Sequence, residues 1–232
     1  MENALLSSSG SVTGVAVPGG WSERKLVLAG RTFDLALPAE PDALLEHLAS
    51  LPVEEHDRHD VYWAQLWQAA PPTAERVLKA TWRSGQSALE FGCGLGLVGV
   101  AGLMAGLDVT FSDYEPLAVR TALENARRNG FPAARGELLD WRSPPKSQYQ
   151  VLLGCDVLYN LQMHEPLANF IDAVLASDGL CWIGDAGRFH AGNFWRVMRE
   201  RGFDVHLEGE RGDRLHETRH GKFQLFVIRR RS

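Results

Sequence analysis

The most constraining feature of the chain is an apolar, strand-like run that passes through an acid into a glycine-rich turn and then a small-residue helix: Ser87-Ala-Leu-Glu-Phe-Gly-Cys-Gly-Leu-Gly-Leu-Val-Gly99. Gly92, Gly94 and Gly96 let the backbone turn tightly and approach a ligand that side chains would hold off. Cys93 sits inside that turn. A strand, a glycine turn and a helix in this order form the architecture of a nucleotide-cofactor site in an α/β fold.

Spacing alone leaves two cofactors open. Read from Gly94, the residues spell G-x-G-x-x-G (Gly94, Gly96, Gly99), and Asp113 stands near the offset at which dinucleotide enzymes place a ribose-binding acid. NAD would fit that reading, although no hydride-transfer constellation is recognisable. Read from Glu90, they spell E-x-G-x-G-x-G, which resembles motif I of the class I S-adenosyl-L-methionine (SAM) dependent methyltransferases. The acid favours the second reading. A NAD-type strand stays apolar up to its first glycine, whereas Glu90 puts a carboxylate where a cationic methionine moiety would lie.

The rest of the chain carries the same fold class, a doubly wound α/β sheet. Strand and helix patterns alternate: strands at Ala88 to Phe91, Asp108 to Ser112, near Ala133 to Leu139, Val151 to Gly154 and Leu180 to Ile183. Helices are predicted at about Leu97 to Ala105, Pro116 to Asn129, Glu165 to Ala176 and Asn193 to Arg201. Phe203 to Leu207 and Phe223 to Ile228 have no helix between them and should pair antiparallel. Five alternating units and a terminal strand pair resemble the mostly parallel, seven-stranded Rossmann-like methyltransferase sheet. Upstream, Lys25 to Ala29 and Thr32 to Leu37 predict a hairpin and Asp42 to Leu51 a helix. Val61 to Ala70 has helical spacing, with Trp63 and Trp67 on one face until Pro71-Pro72 interrupts or restarts the helix. The expected organisation is a disordered tail over 1–20, an extension over 21–60 and a catalytic domain over 61–232.

Composition narrows the setting. At 232 residues the chain suits one sizeable domain. It has no apolar run of transmembrane length and no signal-peptide pattern, so a soluble cytoplasmic monomer is expected, with no membrane partner. Three cysteines without a C-x-x-C pair suit a reducing compartment. His56 and His59 have a metal-ligand composition, but a polar loop is the expectation, with no metal. A formal net charge of -5 gives no footprint for nucleic acid.

The informative polar residues fall at strand ends, where open parallel sheets bind ligands. Asp113 would accept hydrogen bonds from the ribose hydroxyls. Asp140 would hold the adenine amino group, and Trp141 would pack on the purine. After the fourth strand, Asp156-Val-Leu-Tyr159 resembles the D-x-x-Y motif of the protein-lysine methyltransferases, a group also described as nicotinamide N-methyltransferase-like. Leu66-Trp67-Gln-Ala-Ala70 resembles the tryptophan segment that closes over SAM in that group, although Pro71-Pro72 departs from its usual smooth helix. The resemblance covers about Val61 to Ile228. It implies that Trp67, Glu90, the turn of Gly92, Cys93, Gly94 and Gly96, Asp113, Asp140, Trp141 and Cys155 line the cofactor pocket. Asp156 and Tyr159 would then orient an amine.

The implied reaction is methyl transfer to a protein lysine, with S-adenosyl-L-homocysteine as product. A small-molecule N-methyltransferase would be favoured if the N-terminal segment and the Glu208 to Lys222 connection closed the pocket into a cavity; an open, acidic rim would favour a peptide. A non-catalytic binding module on the same fold is the third alternative. The D/N-P-P-Y/F turn of exocyclic-amine DNA methyltransferases and the Pro-Cys nucleophile of cytosine C5 enzymes do not occur here.

Overall fold

The computed structural model describes residues 5–6, 12–50 and 61–231; His56 and His59 lie outside them. Eleven strands are described: β1 (Leu5–Leu6), β2 (Trp21–Leu28), β3 (Arg31–Pro38), β4 (Ser87–Phe91), β5 (Asp108–Asp113), β6 (Arg135–Leu138), β7 (Tyr149–Cys155), β8 (Leu175–Asp185), β9 (Phe203–Glu208), β10 (Arg214–Leu215) and β11 (Gln224–Arg230). The described helices are α1 (Pro41–Ser50), α2 (Ala70–Lys79), α3 (Leu97–Met104), α4 (Pro116–Arg128), α5 (His164–Val174) and α6 (Ala191–Glu200).

The main sheet runs β1-β6-β5-β4-β7-β8-β11-β9-β10, with β6, β5, β4, β7 and β8 parallel and β11 antiparallel to both β8 and β9. The seven long strands are the expected sheet; the two-residue β1 and β10 pair at its two ends. Because alternate residues of a strand face opposite ways, each central strand feeds two cores. Leu89, Phe91 and Leu152 pack with α5 and α6 on one face, while Ala88, Val151 and Leu153 pack with α2, α3 and α4 on the other. Strand order reverses between β4 and β7, so their carboxyl ends open a crevice where a ligand can sit.

Two local expectations differ. Residues 61–70 are not a helix: a 3-10 turn covers Tyr62–Ala64, Gln65 is extended, and α2 begins at Ala70 with the two prolines in its first turn. Proline suits that position because its missing N–H has no intrahelical partner to lose. Trp63 is therefore buried among Leu44, Ala64 and Leu95, Trp67 is partly exposed, and both line the crevice. Within the expected tail, Val12–Gly14 forms a 3-10 turn whose Val12 is buried.

The β2–β3 hairpin forms its own two-stranded sheet. It is tied to the main domain by Asn125, a buried side chain whose Oδ1 accepts from the Ala36 amide at 2.7 Å and whose Nδ2 donates to the carbonyls of Ala36 and Leu95. Asn129 repeats the contact one turn later with Asp34.

Candidate functional site

The glycine turn is shaped by what surrounds it. Gly92, Gly94 and Gly96 all have positive φ, at 60°, 48° and 75°, which glycine adopts without steric cost. A Cβ on Gly92 would lie 3.0 Å from Val157 and 3.3 Å from Trp141, and one on Gly94 would lie 3.2 Å from the Trp63 carbonyl. Gly96 and Gly99 serve packing: a Cβ on Gly96 would strike Ala122 of α4, and one on Gly99 would strike Glu90 and Phe111. The turn is thus pressed between elements and presents backbone to the crevice.

Two acids hold it. Asp113, the last residue of β5, accepts from the Gly94 amide at 2.9 Å through Oδ2 and from the Glu115 amide at 3.0 Å through Oδ1. Glu90, in β4, is buried beneath the turn, and its Oε2 makes no hydrogen bond among the described residues. Burial pushes its carboxyl well above the ordinary value, and the Asp113 charge adds to this; the nearby amides of Gly99 and Val98 oppose it only in part. An anion that burial disfavours in this way is better accommodated when a cation comes near.

All twelve residues picked out from the sequence line one cavity of about 590 Å³. Glu90, Gly92, Cys93, Gly94, Gly96 and Asp113 form one part of its wall, with Asp140 and Trp141 after β6. Trp141 packs edge-on against Phe91, with ring centroids 6.1 Å apart. Asp140 is bound by the side chain and amide of Arg142; burial alone would raise its pKa, but the Arg142 contacts bring it below the usual carboxylate range. Cys155, Asp156, Tyr159 and Trp67 complete the lining. The Cys93 and Cys155 thiols are pushed well up by burial and by neighbouring carboxylates, which disfavours the thiolate form.

Asp156 has φ 53°, and its side chain is only 1% exposed. Its Oδ2 accepts from the Ala69 amide at 3.0 Å, and its Oδ1 accepts from the Ala186 amide and from Arg188 Nε, each at 3.2 Å. The carboxylate therefore joins the turn after β7 to the Trp67 segment and to the end of β8. Tyr159, three residues on, is 44% exposed and meets Tyr62 edge-on at 5.8 Å; Tyr62 is 50% exposed. The indole of Trp67 donates to the Tyr62 carbonyl at 2.7 Å, and the Arg188 guanidinium lies over the same indole at 5.1 Å.

Arg188, Tyr62 and His164 carried no sequence signal. His164 is buried in α5 and bridges Leu158 of the D-x-x-Y turn to Asn193 of α6 through its two ring nitrogens. Burial lowers its pKa and keeps it neutral, so Nε2 donates to the Leu158 carbonyl and Nδ1 accepts from Asn193.

The residues fit a sulfonium nucleoside on grounds internal to the site: a turn that side chains would fill, an acid at the end of β5, and a buried carboxylate with an unpartnered oxygen. Among the described residues no group of His, Cys, Asp and Glu could hold a metal ion, and no helix is long and apolar enough to cross a membrane.

Comparison with known proteins agrees with this geometry. The sequence profile described as "Lysine methyltransferase" matches residues 49–194. A histidine protein methyltransferase 1 homolog of Dictyostelium discoideum is 34% identical over 107 residues, 43% of this chain and 35% of that protein. A ribosomal protein L11 methyltransferase of Marinobacter nauticus is 34% identical over 71 residues, 30% of this chain and 24% of that protein. The chain thus aligns with about a third or less of the length of these curated relatives. Among solved structures, a TehB-like SAM-dependent methyltransferase from Corynebacterium glutamicum superposes with a TM-score of 0.60 at 20% identity, over 84% of this chain and all of that one. A glycopeptide N-methyltransferase complexed with sinefungin superposes at 0.53 and 11% identity, over 71% and 95% of the two chains. These two likenesses concern the fold.

Proposed function

The chain belongs to the lysine methyltransferase family, and from that membership we propose that it is a SAM-dependent N-methyltransferase whose acceptor is a lysine amine of another protein. The observation that carries this reading is one cavity lined at once by the glycine turn with Asp113 and by the solvent-exposed rings of Tyr62 and Tyr159. The first part suits a cofactor and the second a side chain arriving from solvent. We assign residues 61–232 to the catalytic domain and 21–60 to an extension bonded to it through Asn125 and Asn129. A cytoplasmic monomer belongs to the same reading, on composition.

When bound, SAM supplies an electrophilic methyl on a sulfonium. The turn amides and Glu90 would face its methionine part, Asp113 the ribose hydroxyls, and Asp140 with Trp141 the adenine. The protein's contribution to an in-line displacement is position and exclusion of water, and no covalent nucleophile is needed. A lysine must first lose a proton, which costs about 4 kcal/mol at neutral pH from a reference pKa near 10.4. An anionic Asp156 beside the amine would raise that cost. With its carboxylate given to Ala69, Ala186 and Arg188, Asp156 acts as a positioning residue. It fixes the turn that presents Tyr159, and the proton leaves to water through the open mouth.

A second reading, a protein histidine acceptor, is favoured by the described activity of the Dictyostelium relative. An imidazole with a reference pKa near 6.5 is already largely neutral at pH 7 and avoids the deprotonation cost. Both readings are tested by transferring labelled methyl from SAM into proteins of a cell extract, followed by acid hydrolysis and amino-acid analysis. Label in methyl-lysine is expected. Label in methyl-histidine would select the second reading, and label confined to small molecules would overturn both.

A further inference from the structure

Among the described residues of the cavity wall, two of the carboxylates are buried or paired. Asp156 is buried, and Asp140 is paired with Arg142. One residue beyond Arg188, which stacks on Trp67 of the cavity wall, stands Phe189, 81% exposed and the most exposed large apolar side chain among the described residues. Its ring is held edge-on between His190 at 5.1 Å and His220 at 6.2 Å. The two ring contacts orient Phe189 while most of its apolar surface stays in water.

The ring is mounted on a built platform. Gly187, with φ 83°, accepts at its carbonyl from the Gly221 amide at 2.9 Å and from His220 Nδ1 at 3.1 Å. A Cβ at Gly187 would lie 2.5 Å from the amides of Gly221 and Lys222, so the close approach requires glycine. The Gln224 side chain accepts from the Arg219 amide and donates to Asp185, each at 2.9 Å, closing a second tie between the same two segments. The segment from residue 219 to 222 is thereby fixed against the end of β8 and against Gly187, the residue before Arg188, which lies over Trp67 of the cavity wall. It carries Arg219 and Lys222, both exposed and neither in an ion pair with a described residue, on either side of His220, whose ring meets Phe189. Glu217 is the one carboxylate between His216 and Lys222, in a protein whose net charge is -5.

We propose that Phe189, Arg219 and Lys222 form a docking surface for the acceptor protein, which presents an apolar residue and acidic side chains close in sequence to the methylated nitrogen. This rests on the protein N-methyltransferase reading and narrows its substrate class. Charge complementarity selects the partner: exposed, unpaired cations steer and retain carboxylates, while the fixed ring supplies an aromatic anchor of the kind that dominates interface energetics.

The test uses the full chain saturated with S-adenosylhomocysteine and two fluorescent peptides of equal length, each with one central lysine. One is flanked by Leu and Glu, and the other has every Glu replaced by Arg. Anisotropy at low salt should show the acidic peptide bound about tenfold more tightly, a difference that added salt erodes. Phe189→Ala should weaken the acidic peptide severalfold, and the double variant Arg219→Glu, Lys222→Glu should abolish the preference, both with unchanged S-adenosylhomocysteine affinity. Equal binding of the two peptides, preference for the basic one, no measurable binding of the acidic one, or tighter binding of a single-stranded oligonucleotide would overturn the docking surface. Failure of S-adenosylhomocysteine to bind at all would instead remove the methyltransferase reading on which it stands.

Discussion

Glu90 and Asp113 lie under and beside one glycine turn, and the protein treats the two carboxylates differently. Asp113 takes two backbone amides and so both fixes the turn and remains able to accept further hydrogen bonds, since each carboxylate oxygen carries two lone pairs. Asp113→Ala should weaken S-adenosylhomocysteine by about 1.5–3 kcal/mol, the range for a hydrogen bond to a charged group. Calorimetry reads this directly, and unchanged affinity would exclude Asp113 from ligand contact. Glu90 has its pKa raised in the folded state by burial and by Asp113, so the folded protein binds its proton more tightly than the unfolded chain. That sign means stability is lost as pH rises from the ordinary value near 4.5 towards the folded-state value. Glu90→Gln should therefore raise the melting temperature of the ligand-free protein at neutral pH, with the gain vanishing at acid pH, and should weaken S-adenosylhomocysteine. A variant that melts lower at neutral pH would show that the anion is not under strain.

At the scale of elements, the site depends on three chain segments joined at Asp156. The Trp67 segment, the turn after β7 and the end of β8 meet through the Asp156 carboxylate, and Arg188 closes the join by stacking on Trp67. His164 holds the same turn to α6 from below. Arg188→Met should cost about 1–3 kcal/mol, combining a charge-assisted bond and a cation–π contact on a partly exposed side chain. It should also raise the KM for SAM by loosening Trp67, while Arg188→Lys keeps the charge and recovers less than half of the loss. An unchanged KM in Arg188→Met would mean that Trp67 is held without it. The sequence disclosed the strand ends because strand, acid and glycine turn are local patterns. It did not disclose the join, because Trp67 and Arg188 lie on opposite sides of the central sheet's sequence and nothing local marks their contact. The helical spacing of Val61 to Ala70 misled for a related reason: burial of Trp63 against Leu95 and Ala64 outweighs a short helix that two prolines already restart at Ala70. The proximity of Tyr159 and Asp156 in one wall was legible, whereas the exposure of the first and the burial of the second were not.

For the whole molecule, the hairpin extension, the sheet and the site form a connected unit. Asn125 links β3 to α4 and to the Leu95 carbonyl of the glycine turn through three hydrogen bonds in a buried position. Asn125→Ala should destabilise the fold by about 2–4 kcal/mol, because three bonds are lost and buried backbone groups are left without partners. Chemical denaturation checks this, and a loss below about 1 kcal/mol would show that the hairpin packs without the asparagine. The alternation of strand and helix was enough to read a mostly parallel, doubly wound sheet, whereas its seven-stranded arrangement came from the family resemblance and its strand order was not read. The crevice between β4 and β7 is a SAM site and not a dinucleotide site, although Gly94, Gly96 and Gly99 also satisfy the G-x-G-x-x-G spacing. Titration calorimetry of the purified protein with S-adenosylhomocysteine and, separately, with NAD tests it most directly. One S-adenosylhomocysteine should bind per chain with no heat from NAD; binding of NAD instead, or of neither ligand, would exclude a SAM site.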